Sequence, residues 1–106
     1  MDSNQFAKNV ADTKGWTLNR DEDFLSMLLE GLAANFERLG YLQCPCRLSW
    51  DDRKKDADIV CPCVYAADDI AEYGHCYCSL FFAKDYDFAH KESSSIPERR
   101  PEELFP

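Results

Sequence analysis

The chain has 106 residues, with twelve Lys and Arg against twenty Asp and Glu and a formal net charge of -8. That length allows one modest core, which gains much from a metal or covalent staple, and the negative charge opposes a phosphate backbone and argues against nucleic-acid binding. No apolar run approaches the ~20 residues of a membrane span, so neither nucleic acid nor membrane is an expected partner.

In chain order, residues 1–16 carry Asp2 and Asp12 without the apolar run of a signal peptide or the Arg and Ser enrichment of a transit peptide, and read as mature cytoplasmic sequence. A weak helix is expected over 3–14, where Phe6 and Val10 sit one turn apart before Gly15 stops the pattern. A stronger helix begins with Asn19 and Glu22 in capping-box spacing. It sets Phe24, Leu25, Leu28, Leu29, Leu32, Phe36 and Leu39 on one face and stops at Gly40, delivering the chain to Cys44. The polar stretch after Cys46 has no clear period. Residues 61–74 read as a short helix stopped by Gly74, and the segment from Cys78 starts apolar and reads as extended, with Leu80, Phe81 and Phe82 packing around Cys76 and Cys78. His90 carries no signal. The polar tail from about 91 is limited by Pro97 and Pro101 to a turn or so. The expected architecture is therefore mainly α, a small single domain over 1–106 built of short helices and loops.

Arg47, Arg53, Lys54 and Lys55 form the dense basic group, read as a solvated loop or as a docking patch for an acidic protein. Trp50, Tyr65, Tyr73, Phe81 and Phe82 lie near the cysteines, either as ordinary core or as shielding.

The six cysteines form three pairs with a one-residue spacer: Cys44 and Cys46, Cys61 and Cys63, Cys76 and Cys78. A secreted disulfide framework needs a signal peptide, so metal ligation or redox chemistry leads. Zinc sites commonly use spacers of two to four residues, while four thiolates hold either zinc or an iron-sulfur cluster. In Cys-Pro-Cys the proline disfavours helix at the preceding residue, so the flanking side chains tend to one face. A disulfide within such a tripeptide sits near the geometric limit, whereas pairing between tripeptides is easier. Six sulfurs divide naturally into four and two. A zinc-bound structural or interaction module, and a redox-sensing iron-sulfur protein without a disulfide substrate, both remain open on spacing alone.

The ordered motifs "CPC" at 44–46, "CPC" at 61–63 and "CYC" at 76–78, followed by "SLFF", resemble the catalytic (beta) chain of ferredoxin:thioredoxin reductase. "GWTLN" before the long helix and "DYDFA" after the last pair are similar as well, and the resemblance runs from roughly Phe6 to Phe88. It implies a domain folded around a 4Fe-4S cluster held by Cys44, Cys61, Cys63 and Cys76. It also implies a redox-active disulfide between Cys46, the nucleophile, and Cys78, on the cluster side. The implied activity passes single electrons from a ferredoxin to this disulfide, which reduces thioredoxin or a similar protein. Opening a disulfide takes two electrons, so an intermediate store is needed. Arg47 beside an exposed Cys46 is expected to favour its thiolate.

The sequence departs from the family at Tyr77, where the pattern has a histidine thought to handle protons. His75 is then a candidate for proton transfer or, equally simply, an exposed residue at a helix end. Twelve residues, 64–75, divide the last two pairs, a longer gap than in plant-like members. Plant-type members work with a second, variable subunit, so a second subunit or a homo-oligomer stays open here.

Overall fold

The computed structural model describes residues 2–89 and 95–106, so His90 and the first part of the tail, residues 91–94, lie outside the described residues. Helix α1, Ser3–Lys14, starts where the Asp2 side chain accepts the Gln5 N–H and ends at Gly15. Its inward face joins the buried Ala7 and Ala11 to Phe6 and Val10, which are partly buried and packed against the same core. Small side chains let α1 lie close to helix α2, and Ser3 Oγ donates to the Leu29 carbonyl at 2.9 Å across that contact.

Helix α2, Glu22–Leu39, is the long helix the periodicity predicts, but its cap is different. Asp21 accepts the Phe24 N–H, while Asn19 accepts from Asp21 N–H and donates its amide to the Ser79 carbonyl at 3.0 Å. Asn19 is thus a buried tie between the helix entry and the third cysteine motif, not an N-cap. Leu28 and Leu32 are buried and Phe24, Leu25, Leu29 and Phe36 pack around them, as the stripe implies. On the same helix, a Cβ at Gly31 would come within 3.0 Å of Pro45 Cβ. The first cysteine turn therefore rests directly on α2.

Strand β1, Trp16–Leu18, was not expected. It pairs antiparallel with β2, Phe81–Ala83, in the register Trp16 to Ala83, Thr17 to Phe82 and Leu18 to Phe81. Three residues carry too little alternation to announce a strand; the partner 65 residues away defines it. Between α2 and β2 lie a single 3-10 turn, Ala57–Ile59, and helix α3, Ala66–Tyr73. The third helix starts five residues later than expected, because residues 61–63 are bent and irregular and 64–65 form a turn. A 3-10 turn at Glu102–Leu104 is the one regular piece in the described part of the tail.

Three helices and a two-stranded sheet thus surround one core, in which Leu28, Leu32, Leu80 and Phe81 meet Cys44, Cys61, Cys76 and Cys78. Among the described residues, no helix is long and apolar enough to cross a membrane.

Candidate functional site

Backbone hydrogen bonds join the first two cysteine motifs. Cys44 N–H donates to the Ile59 carbonyl at 2.9 Å and Cys61 N–H to the Leu42 carbonyl at 2.7 Å, on either side of a bridge between Gln43 and Val60. The third motif hangs from β2, with Cys76 N–H donating to the Phe81 carbonyl at 3.0 Å. Motifs distant in sequence are therefore set against each other by main-chain atoms, which leaves the sulfurs free for chemistry.

The two cysteines of the first pair differ in burial. Arg47 N–H donates to the Cys44 carbonyl at 3.3 Å, closing a turn over Pro45 and Cys46. A turn, unlike an extended strand, does not return alternate side chains to the same side. Cys44 is consequently buried and Cys46 exposed. The other four sulfurs stay inside: Cys61, Cys76 and Cys78 are buried and Cys63 is half-buried. Cys44, Cys61, Cys63, Cys76 and Cys78 line one recess, walled by Pro62, Ala66, Tyr77 and Phe81. Of the five aromatic residues near the motifs, Phe81 alone lines this recess. Phe82 is core, stacked with Tyr86 and Phe88.

All six cysteines are free thiols. Cys78 is the hub of their interactions: its sulfur lies 3.9 Å from that of Cys76, and its thiol also hydrogen bonds with Cys44 and Cys46. These bonds, with burial, hold the Cys78 thiol well above its ordinary pKa. Cys46 is lowered, first by the hydrogen bond from Cys78, acting against burial; the charge of Arg47 helps, but as a smaller contribution than the sequence suggests. Cys76 is brought down to about 7 by Cys78, against burial and with help from the N–H groups of Phe81, Leu80 and Cys78. Burial raises Cys63 to about 11 and Cys61 well above its usual value, and both are raised further by the neighbouring Cys44 and Cys76 sulfurs.

That electrostatic crowding tests the site for a thiolate-bound cofactor. Buried sulfurs that oppose each other's ionisation need a cationic centre to ionise together. The recess supplies soft sulfur donors, no carboxylate or imidazole, and apolar walls, while the Phe81 N–H lies 3.4 Å from Cys76 Sγ as a hydrogen-bond donor to it. This donor set fits a tetrathiolate cluster. Among the described residues, no three Cys, His, Asp or Glu side chains converge on a point as they would around a single ion; the sulfurs share a recess wall instead.

His75 is not the exposed helix-end residue that one reading expected. It is 2% exposed, its Nδ1 lies 2.8 Å from the Cys76 carbonyl oxygen, and its ring packs on Phe82 and Tyr86. It lines neither the sulfur recess nor the opening at Cys46.

The basic group also changes on folding. Arg47 is buried, donates to Glu98, and stacks over Tyr77 and Tyr65, so only Arg53, Lys54 and Lys55 remain on the surface. Glu98 belongs to a C-terminal segment that sequence reading passed over. Arg100 Nε bonds Asp58 at 2.8 Å, Arg99 Nε bonds Asp69 at 2.8 Å, and Trp50 Nε1 donates to the Leu104 carbonyl at 2.8 Å. The segment thereby reaches the site, where Glu98, Arg100, Phe105 and Pro106 join Cys46, Arg47, Leu48 and Tyr77 around an opening of about 200 Å³. Nothing local in "PERRPEELFP" announces this, since the oppositely charged partners of Glu98, Arg99 and Arg100 all lie at least 27 residues away.

The family described as "Ferredoxin thioredoxin reductase catalytic beta chain" matches residues 2–102. The chain is 32% identical over 102 residues to the ferredoxin-thioredoxin reductase catalytic chain of Synechocystis sp., covering 93% of this chain and 81% of that one. It is 33% identical over 88 residues to the catalytic chain of Guillardia theta, covering 80% and 81%. Against a chloroplastic catalytic chain of Spinacia oleracea the identity is 36% over 77 residues, covering 70% of this chain and 50% of the relative. The chain thus spans about half the length of that chloroplast relative.

Proposed function

The chain belongs to the family of ferredoxin thioredoxin reductase catalytic beta chains, and from that premise we propose that it is an oxidoreductase. In this reading it takes electrons one at a time from a ferredoxin and reduces the disulfide of thioredoxin or a similar protein. Cys44, Cys61, Cys63 and Cys76 hold a 4Fe-4S cluster, and Cys46 and Cys78 are the redox pair. The observation that carries the reading is the position of Cys78, buried in one recess with Cys44, Cys61, Cys63 and Cys76, its sulfur 3.9 Å from that of Cys76, while its thiol lowers the pKa of the exposed Cys46.

The cluster, when bound, supplies a one-electron store beside a two-electron bond. The thiolate of Cys46 attacks one sulfur of the target disulfide and expels the other as a thiolate, leaving a mixed disulfide. Cys78 then attacks the Cys46 sulfur, which releases the target as a dithiol and joins Cys46 to Cys78. Two electrons and two protons restore the pair. The lowered Cys46 pKa suits it to the first attack, and its exposure lets a protein partner reach it. No proton step is assigned to His75, whose ring is turned to Phe82 and Tyr86, nor to Tyr77, whose ring lies against the Arg47 guanidinium. Protons reach Cys46 from solvent.

The test is iron, acid-labile sulfide and zinc content of anaerobically purified protein, with turnover measured on reduced ferredoxin and a thioredoxin. Near four iron and four sulfide per chain are expected. Cys46→Ser should keep both and lose turnover by at least ~10³-fold, the scale on which nucleophile removal acts, while Cys61→Ser should lose the iron. Zinc without sulfide would overturn the reading.

A further inference from the structure

Arg47 touches all three cysteine motifs and the C-terminal segment at once. It follows Cys46 in the first turn; its Nη2 lies 3.9 Å from Cys63 Sγ in the second motif; its guanidinium carbon stands 4.5 Å from the ring centre of Tyr77 in the third. Nη1 donates to the Glu98 carboxylate. The Arg47 side chain is 1% exposed, against 24% for Glu98, and its Nε has no hydrogen-bond partner among the described residues. Burying a guanidinium with one donor unused costs more than a surface ion pair would. A pair serving only to fasten the tail gains nothing from being placed against a sulfur.

A guanidinium stays charged at every accessible pH, and in a buried site its field on nearby sulfurs is weakly screened. Reduction makes a thiolate-bound cluster more negative, so a fixed positive charge beside it favours the reduced state. Glu98 opposes that effect from the far side of the guanidinium. We infer that Arg47 is a positioning residue that raises the reduction potential of the sulfur site, with Glu98 moderating it. This rests on the cluster reading above.

Two substitutions should move the potential in opposite directions. Arg47→Gln removes the cation and should disfavour reduction by about tenfold, equivalent to ~59 mV downward for a one-electron couple. Glu98→Gln removes the opposing anion, keeps an oxygen to accept the Arg100 N–H bond, and should shift the potential upward by up to the same amount. Arg47→Lys keeps the charge but loses the stacking on Tyr77, and should stay within about threefold of wild type in the same equilibrium.

The measurement is an optical redox titration of the purified protein at fixed salt. Opposite shifts for the two Gln variants support the inference. Equal potentials in all three proteins, or shifts in the same direction, overturn it while leaving the proposed function intact. Should Arg47→Gln fail to retain iron, Glu98→Gln decides alone: an upward shift supports the inference and none overturns it. Wild-type protein without iron and sulfide overturns both.

Discussion

Asp56 has no exposed surface, yet it is a carboxylate, and its environment explains how the loop between the first two cysteine motifs keeps its shape. Tyr41 and Ser49 hydroxyls donate to its Oδ2 at 2.5 Å each, and Trp50 N–H donates to Oδ1 at 3.0 Å. Burial pushes the carboxyl pKa up, but the hydrogen bonds from Ser49, Tyr41 and Trp50, with the charge of Arg100, hold it below the ordinary value. A depressed folded-state pKa means the stabilisation is present above the unfolded carboxylate pKa of ~4 and is lost as pH falls through the folded value. Asp56→Asn is expected to destabilise the protein at pH 7 by ~2–3 kcal/mol, the scale of hydrogen bonds to a buried charge. Urea unfolding checks this, and the gap to wild type should narrow progressively below pH ~4. Composition does not single out Asp56 among twenty acidic residues; only three donors closing on one side chain make it structural.

Among the elements, α3 occupies the gap between the second and third motifs, where it turns two acidic residues toward the tail. Asp69 and Glu72 hold Arg99, so the gap residues form a docking site for that one side chain of the tail. The helix ends at Gly74, with φ of 90°, directly before His75 and Cys76. A Cβ there would lie 2.8 Å from the Tyr86 ring. Gly74→Ala should therefore cost about 2 kcal/mol, combining left-handed backbone strain with a clash against packed aromatic carbon. A lower thermal midpoint together with faster loss of iron on standing would be its signature, because the strain falls two residues from Cys76. Helices α1, α2 and α3 were each legible from apolar spacing and a terminal glycine. The α2 entry was misread because Asn19 and Asp21 are both good caps and only the tertiary bond from Asn19 to Ser79 decides between them.

For the whole molecule, the net charge of -8 bears on encounter with the proposed redox partners. An acidic donor is repelled on average, so productive approach depends on local positive surface. With Arg47 withdrawn into the interior, Arg53, Lys54 and Lys55 are what the basic group leaves exposed. Lys54→Glu with Lys55→Glu is expected to slow electron delivery from an acidic ferredoxin several-fold at low ionic strength, with iron content unchanged. Stopped-flow traces should converge with wild type at high salt, where screening shortens to a few Å. Equal rates at low salt would remove this patch from the docking surface.

The cysteine triplets point to the family in advance of any coordinates, since a one-residue spacer repeated three times in order is a pattern carried by nine positions in three tripeptides, each of them local. Helix spans and stops were equally local, being properties of residues three or four apart. The split of the first pair into a buried Cys44 and an exposed Cys46, the pairing of β1 with β2, and the withdrawal of Arg47 behind Glu98 were decided by the tertiary structure. Each depends on groups 50 or more residues apart, or on which side of a turn faces the core. Neither is encoded by near neighbours; both appear only when closing the chain makes a shared interior that some side chains enter and others leave.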